Sequence, residues 1–321
     1  MHLRRLAIAA IGVALTGLAT KAASDCVPAP ARNAGYRLET FSSDFTTSTL
    51  DTGATYRSGF NWYLMNFWGM PPMAPSGYRL NRSGSITLTG RTGYQNGGGL
   101  NQLSTAGNLD GSNWVGTAFG GGFYAEATFK FNPALVNTAN GWPAFWADAV
   151  ENAMDLEAGL QWPGQPPGYN QFAETDFFEY YPHPGEPQND YTMTMHDWYG
   201  IWNQTCPGGW CDANTNDSDM RTAPPDTDWM LYHRVGFLWV ASKNGVPGYV
   251  QSYFDRVPVG PQVEWSQFTG QPPPPGSGVD WTFGITDQDH FVLFLDTGLN
   301  QNFTIRSVKV WQASSAGNIV Q

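Results

Sequence analysis

Apolar and polar residues alternate with a period close to two along most of this chain, the pattern of half-buried strands. The runs GSITLTGR (84–91), FYAEATFKF (123–131), ETDFFEYY (174–181) and DYTMTMHDWYGIW (190–202) all read as strands. So do YHRVGFLWV (232–240), GYVQSYFD (248–255), HFVLFLDTG (290–298) and FTIRSVKVWQ (303–312). Gly- and Pro-rich stretches punctuate them: PPMAPSG (71–77), QNGGG (95–99) and QPPPPGSG (271–278). One segment, WADAVENAMDLEAGL (146–160), is rich in Ala, Glu, Met and Leu and is expected to be helical. There is no internal repeat and no long linker, and Pro272–Pro275 reads as a surface loop. The simplest architecture is all-β: a sandwich of two antiparallel sheets occupying roughly residues 33 to 313.

Composition supports that picture and narrows the function. Of 321 residues 41% are hydrophobic, enough for a large core, and only 13% are charged, which argues against long solvated helices. Fourteen Trp, fourteen Tyr and nineteen Phe leave aromatic side chains over for a binding surface. The formal charge is −11 and no basic stripe occurs, which disfavours nucleic acid as a partner.

The N-terminus reads as a targeting segment, so residues 1–24 are assigned as a signal peptide and 25–321 as a single domain. MHLRR is positive, Leu6 to Leu18 is an apolar run too short to span a bilayer comfortably, and KAAS supplies small residues for cleavage before Asp25. Arg4-Arg5 admits twin-arginine export, but an ordinary secretory signal fits better; Asp25 argues against lipidation of Cys26. Removing this segment takes three basic residues and no acid, leaving thirteen cations against 27 acids and a charge of −14. No other long apolar run exists, so the mature chain is expected to be a soluble monomer, secreted or periplasmic. In such a compartment Cys206 and Cys211, which flank the Gly/Pro loop PGGW, are expected to pair and leave Cys26 over.

The candidate chemistry lies in ETDFFEYY. In a regular strand Glu174 and Asp176 share a face, whereas Glu179 has the opposite parity. A β-bulge at Phe177-Phe178 would reset that parity and bring all three acids to one face. The glutamates would then be roughly 13 Å apart along the backbone. Side chains leaning together could close their carboxyls to about 5–5.5 Å, the separation a retaining glycosidase uses. Three adjacent acids should also titrate together, with one pKa raised. A solvated outer face or a calcium site would present the same spacing.

The flanking residues bear on that choice. NGWPAFWAD (140–148) followed by ETDFFEYY resembles glycoside hydrolase family 16, whose members carry W-P-A-F-W and then E-x-D-x-x-E. GGFYAEATFKF, YTMTMHDWYG, LYHRVGFLWV with GYVQSYFDR, and FTIRSVKVWQ are similar to further strands of that family, individually weakly, and together cover most of the mature chain. The resemblance implies a concanavalin A-like jelly roll with a substrate cleft on its concave face. It implies Glu174 as nucleophile, Asp176 as assisting acid and Glu179 as general acid/base. It places Trp142, Trp146 and His196 as candidate substrate-binding residues, although Trp146 also suits core packing.

No cofactor or metal is expected. Arg306 and Ser307 stand where many relatives have an Asp that helps hold a structural calcium, and so few cysteines make no metal site. The Pro/Gly-rich QWPGQPPGYNQ (161–171) and Thr175, where an aliphatic residue is commoner, depart from the family pattern and keep substrate specificity open. His233 is expected to be structural. Among Trp198, Trp202, Trp210 and Trp239 some should line the cleft. The function implied is an endo-acting β-glycan hydrolase, with β-glucan ahead of galactan as substrate. The alternatives are a transglycosylase or a non-catalytic carbohydrate-binding protein, which would not need three acids in this array.

Overall fold

The structure, a computed structural model, describes residues 27–64, 72–90, 101–108, 114–150, 169–181, 188–201, 215–241, 246–265 and 290–320. In chain order its first elements are helix α1 (Ala29–Asn33) and strands β1 (Leu38–Ser43), β2 (Leu50–Asp51), β3 (Trp62–Tyr63), β4 (Tyr78–Leu80) and β5 (Ile86–Leu88). Then come β6 (Asn101–Ser104), β7 (Ala106–Asn108), β8 (Trp114–Gly120), β9 (Phe123–Phe131), β10 (Ala144–Ala149), β11 (Tyr169–Glu179) and β12 (Asp190–Ile201). The last are β13 (Thr215–Thr222), β14 (His233–Val240), β15 (Gly248–Phe254), β16 (Val257–Trp265), β17 (His290–Thr297), β18 (Phe303–Gln312) and β19 (Ile319–Val320). The signal segment, the 206/211 cysteine pair and the loops 95–99 and 271–278 lie outside the described residues.

Two sheets account for nearly all of these strands. One runs β16-β15-β14-β9-β18-β5-β4, with β1 also on β18; the other runs β13-β12-β11-β10-β17-β6-β3-β2, with β8 joined at β17. Pairing is antiparallel except between the short β2 and β3. The meanders β14–β16 and β10–β13 flank central strands that pair across long sequence distances, β14-β9, β9-β18, β18-β5, β10-β17 and β17-β6, the order of a jelly-roll β-sandwich.

Alternation in each strand builds the layer between the sheets. From β9, Phe123, Ala125, Ala127, Phe129 and Phe131 enter the core, where they meet Phe145, Phe177, Phe178, Leu293 and Leu295 of the opposing sheet. Phe177 stacks on Phe237 across that layer at 4.2 Å between centroids, and Phe178 lies 4.8 Å from Phe129. Each such side chain contributes about 1.5–3 kcal/mol by leaving water.

The helix expected over 146–160 is corrected where it can be seen: Ala144–Ala149 is β10, a strand buried along its whole length. Phe145 and Ala147 fill the sandwich core while Ala144 and Trp146 pack on the other face, so two-sided burial overrides the helix propensity of alanine. Residues 151–160 lie outside the described residues. Strands β1–β4, β6–β8, β13, β16 and β19 had no counterpart among the sequence expectations. Their edges and turns dilute the alternation that marks the others.

Candidate active site

A bulge in β11 organises the site. Against β12, Asp176 pairs with Thr194 and Glu179 with Thr192, so Phe177 and Phe178 together oppose Met193 alone. Against β10, Phe178 faces Phe145 and Asp176 faces Trp146, so Phe177 is the extra residue. Both phenyl rings turn into the core, as does Thr175 on the regular side of the bulge. Glu174, Asp176 and Glu179 consequently share the outer face of the sheet.

Register extends that face across four strands. One row reads Asp296 on β17, Ala144 on β10, Glu179 on β11 and Thr192 on β12. The next reads Phe294, Trp146, Asp176 and Thr194, and the third Val292, Asp148, Glu174 and His196. Five carboxyls and one imidazole are thereby gathered on one surface. Asp148 is fully buried and Asp176 is 3% exposed, while Glu174, Glu179, Asp296 and His196 remain partly open.

Specific contacts hold the group. Trp142 Nε1 donates to Glu179 Oε1 at 2.8 Å, and the Trp142 ring meets Tyr181 edge to face. Trp146 Nε1 donates to Asp296 Oδ2 at 3.0 Å, and its ring stacks on Phe294 at 4.3 Å. His196 Nε2 lies 3.2 Å from Asp176 Oδ2. Glu174, Asp176 and His196 each offer an atom within 4.8 Å of the other two, close enough to share a metal ion.

Burial and mutual repulsion decide the protonation of these groups. Asp176 is held well above the usual carboxylate range, first by burial and then by the charges of Glu179, Glu174, Asp296 and Asp148. Burial also raises Glu179, against hydrogen bonds from Trp142 and Asp176 that pull it down. Asp296 is raised to about 8, chiefly by burial; the Trp146 bond opposes this and Glu179 and Glu174 add to it. Burial lowers His196 to about 4. Burial thus favours the uncharged form of both partners in the Asp176–His196 contact.

The expected site residues fall as follows. Glu174, Asp176, Glu179 and His196 are together, with Trp142 beside them and partly exposed. Trp146 is on the same face but only 8% exposed, one side of its ring covered by Phe294. His233 ties strands together, its ring nitrogens 2.9 Å from Asp255 Oδ2 and 3.1 Å from the Asp228 carbonyl oxygen. Trp239, expected among possible cleft residues, is in the core, edge-on to Phe123 and Phe291. The side chains of Trp198, Trp202 and Trp210 lie outside the described residues. Asp148 and Asp296 were missed. Their parity with Trp146 and with Phe294 was readable; that β10 and β17 lie beside the bulged strand was not.

No protein-family model matches the sequence, and no curated protein matches it. Solved structures do. The fold is similar to that of an endo-1,3-beta-glucanase from Streptomyces sioyaensis, at 18% identity over 88% of this chain and 97% of that one, with a TM-score of 0.47. A glycoside hydrolase family 16 endo-glucanase from Bacteroides ovatus is similar at 15% identity over 84% and 99%, with a TM-score of 0.44. A Lotus tetragonolobus seed lectin is similar at 8% identity over 73% and 89%, with a TM-score of 0.33. The likeness is one of fold. Among the described residues no helix is long and apolar enough to cross a membrane.

Proposed function

We propose that the protein is an exported, retaining, endo-acting β-glycan hydrolase of the glycoside hydrolase family 16 type, with β-glucan as the leading substrate class and galactan the next. The observation that supports it best is the bulge at Phe177-Phe178, which turns Glu179 onto the outward face beside Glu174 and Asp176. Without it Glu179 would enter the core, where an unpaired carboxylate costs several kcal/mol.

Two glutamates divide the reaction. Glu179, whose protonated form burial favours, gives its proton to the leaving glycosidic oxygen as that C–O bond breaks. A Glu174 oxygen attacks the anomeric carbon and forms the glycosyl-enzyme. Glu179, now a carboxylate, takes a proton from water, whose oxygen displaces Glu174 and regenerates the starting state. Asp176, whose neutral form burial favours, bonds to Glu179, sits against His196 and positions the pair. A sugar intercepting the intermediate in place of water would make the same site a transglycosylase. Trp142, anchored through its indole nitrogen and partly exposed, is the aromatic ring proposed to meet a sugar.

Reducing-sugar release from laminarin, lichenan, agarose and xyloglucan, with and without a chelator, tests this reading. Release from at least one glycan, insensitive to the chelator and lost in Glu174→Gln, is expected. Binding without release would point to a carbohydrate-binding protein instead, and loss on chelation to metal at Glu174, Asp176 and His196.

A further inference from the structure

The outer face of the sheet built on β14, β9 and β18, on the side of the sandwich away from the acids, carries the opposite charge. One row on it runs Arg79, Thr87, Thr304, Lys130 across β4, β5, β18 and β9. Arg234, Arg256, Arg306 and Lys309 join Arg79 and Lys130 there, six of the thirteen cations that follow residue 24. Part of this charge is neutralised within the fold. Arg256 holds both oxygens of the buried Glu126, at 2.8 and 2.9 Å, and Lys309 pairs with Glu39 at 3.0 Å. Arg234 reaches Glu126 only at 3.7 Å, so one carboxylate faces two guanidiniums. Asp255 is taken up by His233 and the Arg234 N–H. Among the described residues Arg79, Lys130 and Arg306 have no carboxylate within 4.0 Å.

Arg306 is aimed by the backbone. Ile305 pairs with Phe129 and Ser307 with Thr128, so Arg306 is an extra residue with none opposite it on β9. This bulge lays its guanidinium on the Tyr232 ring, 3.7 Å from the centroid, and Lys130 Nζ lies 5.0 Å from the same centroid. A stacked guanidinium keeps its plane fixed, and the edge N–H groups of the exposed Arg306 match a planar carboxylate with two parallel hydrogen bonds. Two like charges beside one ring repel each other, and an anion between them relieves that repulsion. Thr128 and Ser307, partly exposed next to them, add hydroxyls to the same surface.

We propose that this outer face binds a carboxylate-bearing polysaccharide, its acid groups on Arg306 and Lys130 and its hydroxyls on Thr128 and Ser307. A linear polyanion suits the spacing of the cations. Arg79 and Lys130 stand three strand spacings apart, roughly 14 Å, so positive charge recurs along a path across the strands. The acids that dominate the rest of the chain repel such a polymer and leave it this face. An anionic bilayer fits less well. The exposed Met230 and Leu231 beside Tyr232 are the side chains that would enter it, and the exposed Asp226 and Asp228 just before them would meet its negative surface. Neither Lys130 nor Arg306 belongs to the catalytic face, so this binding is independent of the hydrolase reading.

Titration calorimetry with polygalacturonate, at low and at high salt, tests the assignment. Wild-type protein should bind at low salt and lose that binding at high salt. The double variant Lys130→Gln, Arg306→Gln should bind about tenfold or more weakly at low salt. Its melting temperature, and its turnover of any neutral glycan that wild type cleaves, should be unchanged. Arg306→Lys keeps the charge without the planar fork and should fall between the two. Arg57→Gln removes an exposed charge from the other sheet's surface and should bind as wild type does. No binding by wild type, equal binding by the double variant, or an equal loss in Arg57→Gln overturns the assignment. So does binding to vesicles of anionic phospholipid with none to polygalacturonate. Each of these outcomes leaves the hydrolase reading standing, since that reading is decided on neutral glycans by Glu174→Gln.

Discussion

The indole nitrogen of Trp142 donates to Glu179 at 2.8 Å, so the residue proposed to meet a sugar also tunes the acidity of the group proposed to cleave it. That bond favours the carboxylate and holds the Glu179 pKa below where burial alone would put it. Trp142→Phe removes the donor and keeps a ring. Glu179 should then hold its proton to higher pH, and the alkaline limb of kcat/KM should move upward. Trp142→Ala should move the limb the same way and also raise KM. A limb that stays in place in both variants would separate Trp142 from the acid.

Glu174→Gln and Glu179→Gln should each abolish polysaccharide hydrolysis while leaving the fold intact. For Glu179 the loss should be roughly 10²–10⁴-fold, the usual contribution of a positioned general acid. It should be smaller on an aryl glycoside, whose leaving group needs less protonation. Replacing either carboxyl by an isosteric amide on a crowded acidic face should not lower the melting temperature. Near wild-type turnover in either variant would reject that residue's role. Asp176→Asn should be milder, since Asp176 forms no bond to substrate.

Stability should depend on pH in two opposed ways. Asp296 has a folded pKa of about 8 against an ordinary 3.8, so its contribution is complete below about pH 4 and is lost as pH rises through 8. His196 is lowered from 6.5 to about 4, so its contribution is present above about pH 6.5 and is lost as pH falls through 4. Melting temperatures between pH 4 and 9 should therefore pass through a maximum. Asp296→Asn should flatten the alkaline side, and an equally steep decline in that variant would exclude Asp296 as the cause.

The bulge costs a regular strand but contributes two core rings. Phe178 contacts Phe129, Phe131, Tyr191 and Trp229, so Phe178→Ala should cost about 3–5 kcal/mol in urea unfolding. Deleting Phe178 gives E-x-D-x-E spacing, which keeps both glutamates on one face without a bulge. That variant should melt lower because a core ring is gone, and should retain activity if β12 shifts its register. An unchanged urea midpoint for the alanine variant would contradict the packing described for Phe178.

Cys206 and Cys211 are proposed to be disulfide-bonded in exported protein. A non-reduced digest analysed by mass spectrometry should yield the linked peptide. Two free thiols would remove the claim. Reduction should leave the sandwich folded, because so short a loop constrains the unfolded chain only modestly.

The sequence by itself determined the strand-rich architecture, because alternation such as that in FYAEATFKF is local and survives without knowledge of the partner strand. It also carried the parity conflict at Glu179, since side-chain direction in a strand follows from counting residues. Only tertiary structure could resolve the conflict as a bulge, because a bulge is a mismatch between two strands and exists only once Met193 is set opposite Phe177 and Phe178. The same holds for β10, where helix-favouring residues became a strand through pairing with β11 and β17. Asp148 and Asp296 joined the acidic face for that reason as well. Asp296 is 117 residues from Glu179 along the chain, and no local pattern encodes that one alanine-width of sheet separates them. Their pKa values followed, since burial and the proximity of other carboxyls are properties of the assembled face and not of any segment.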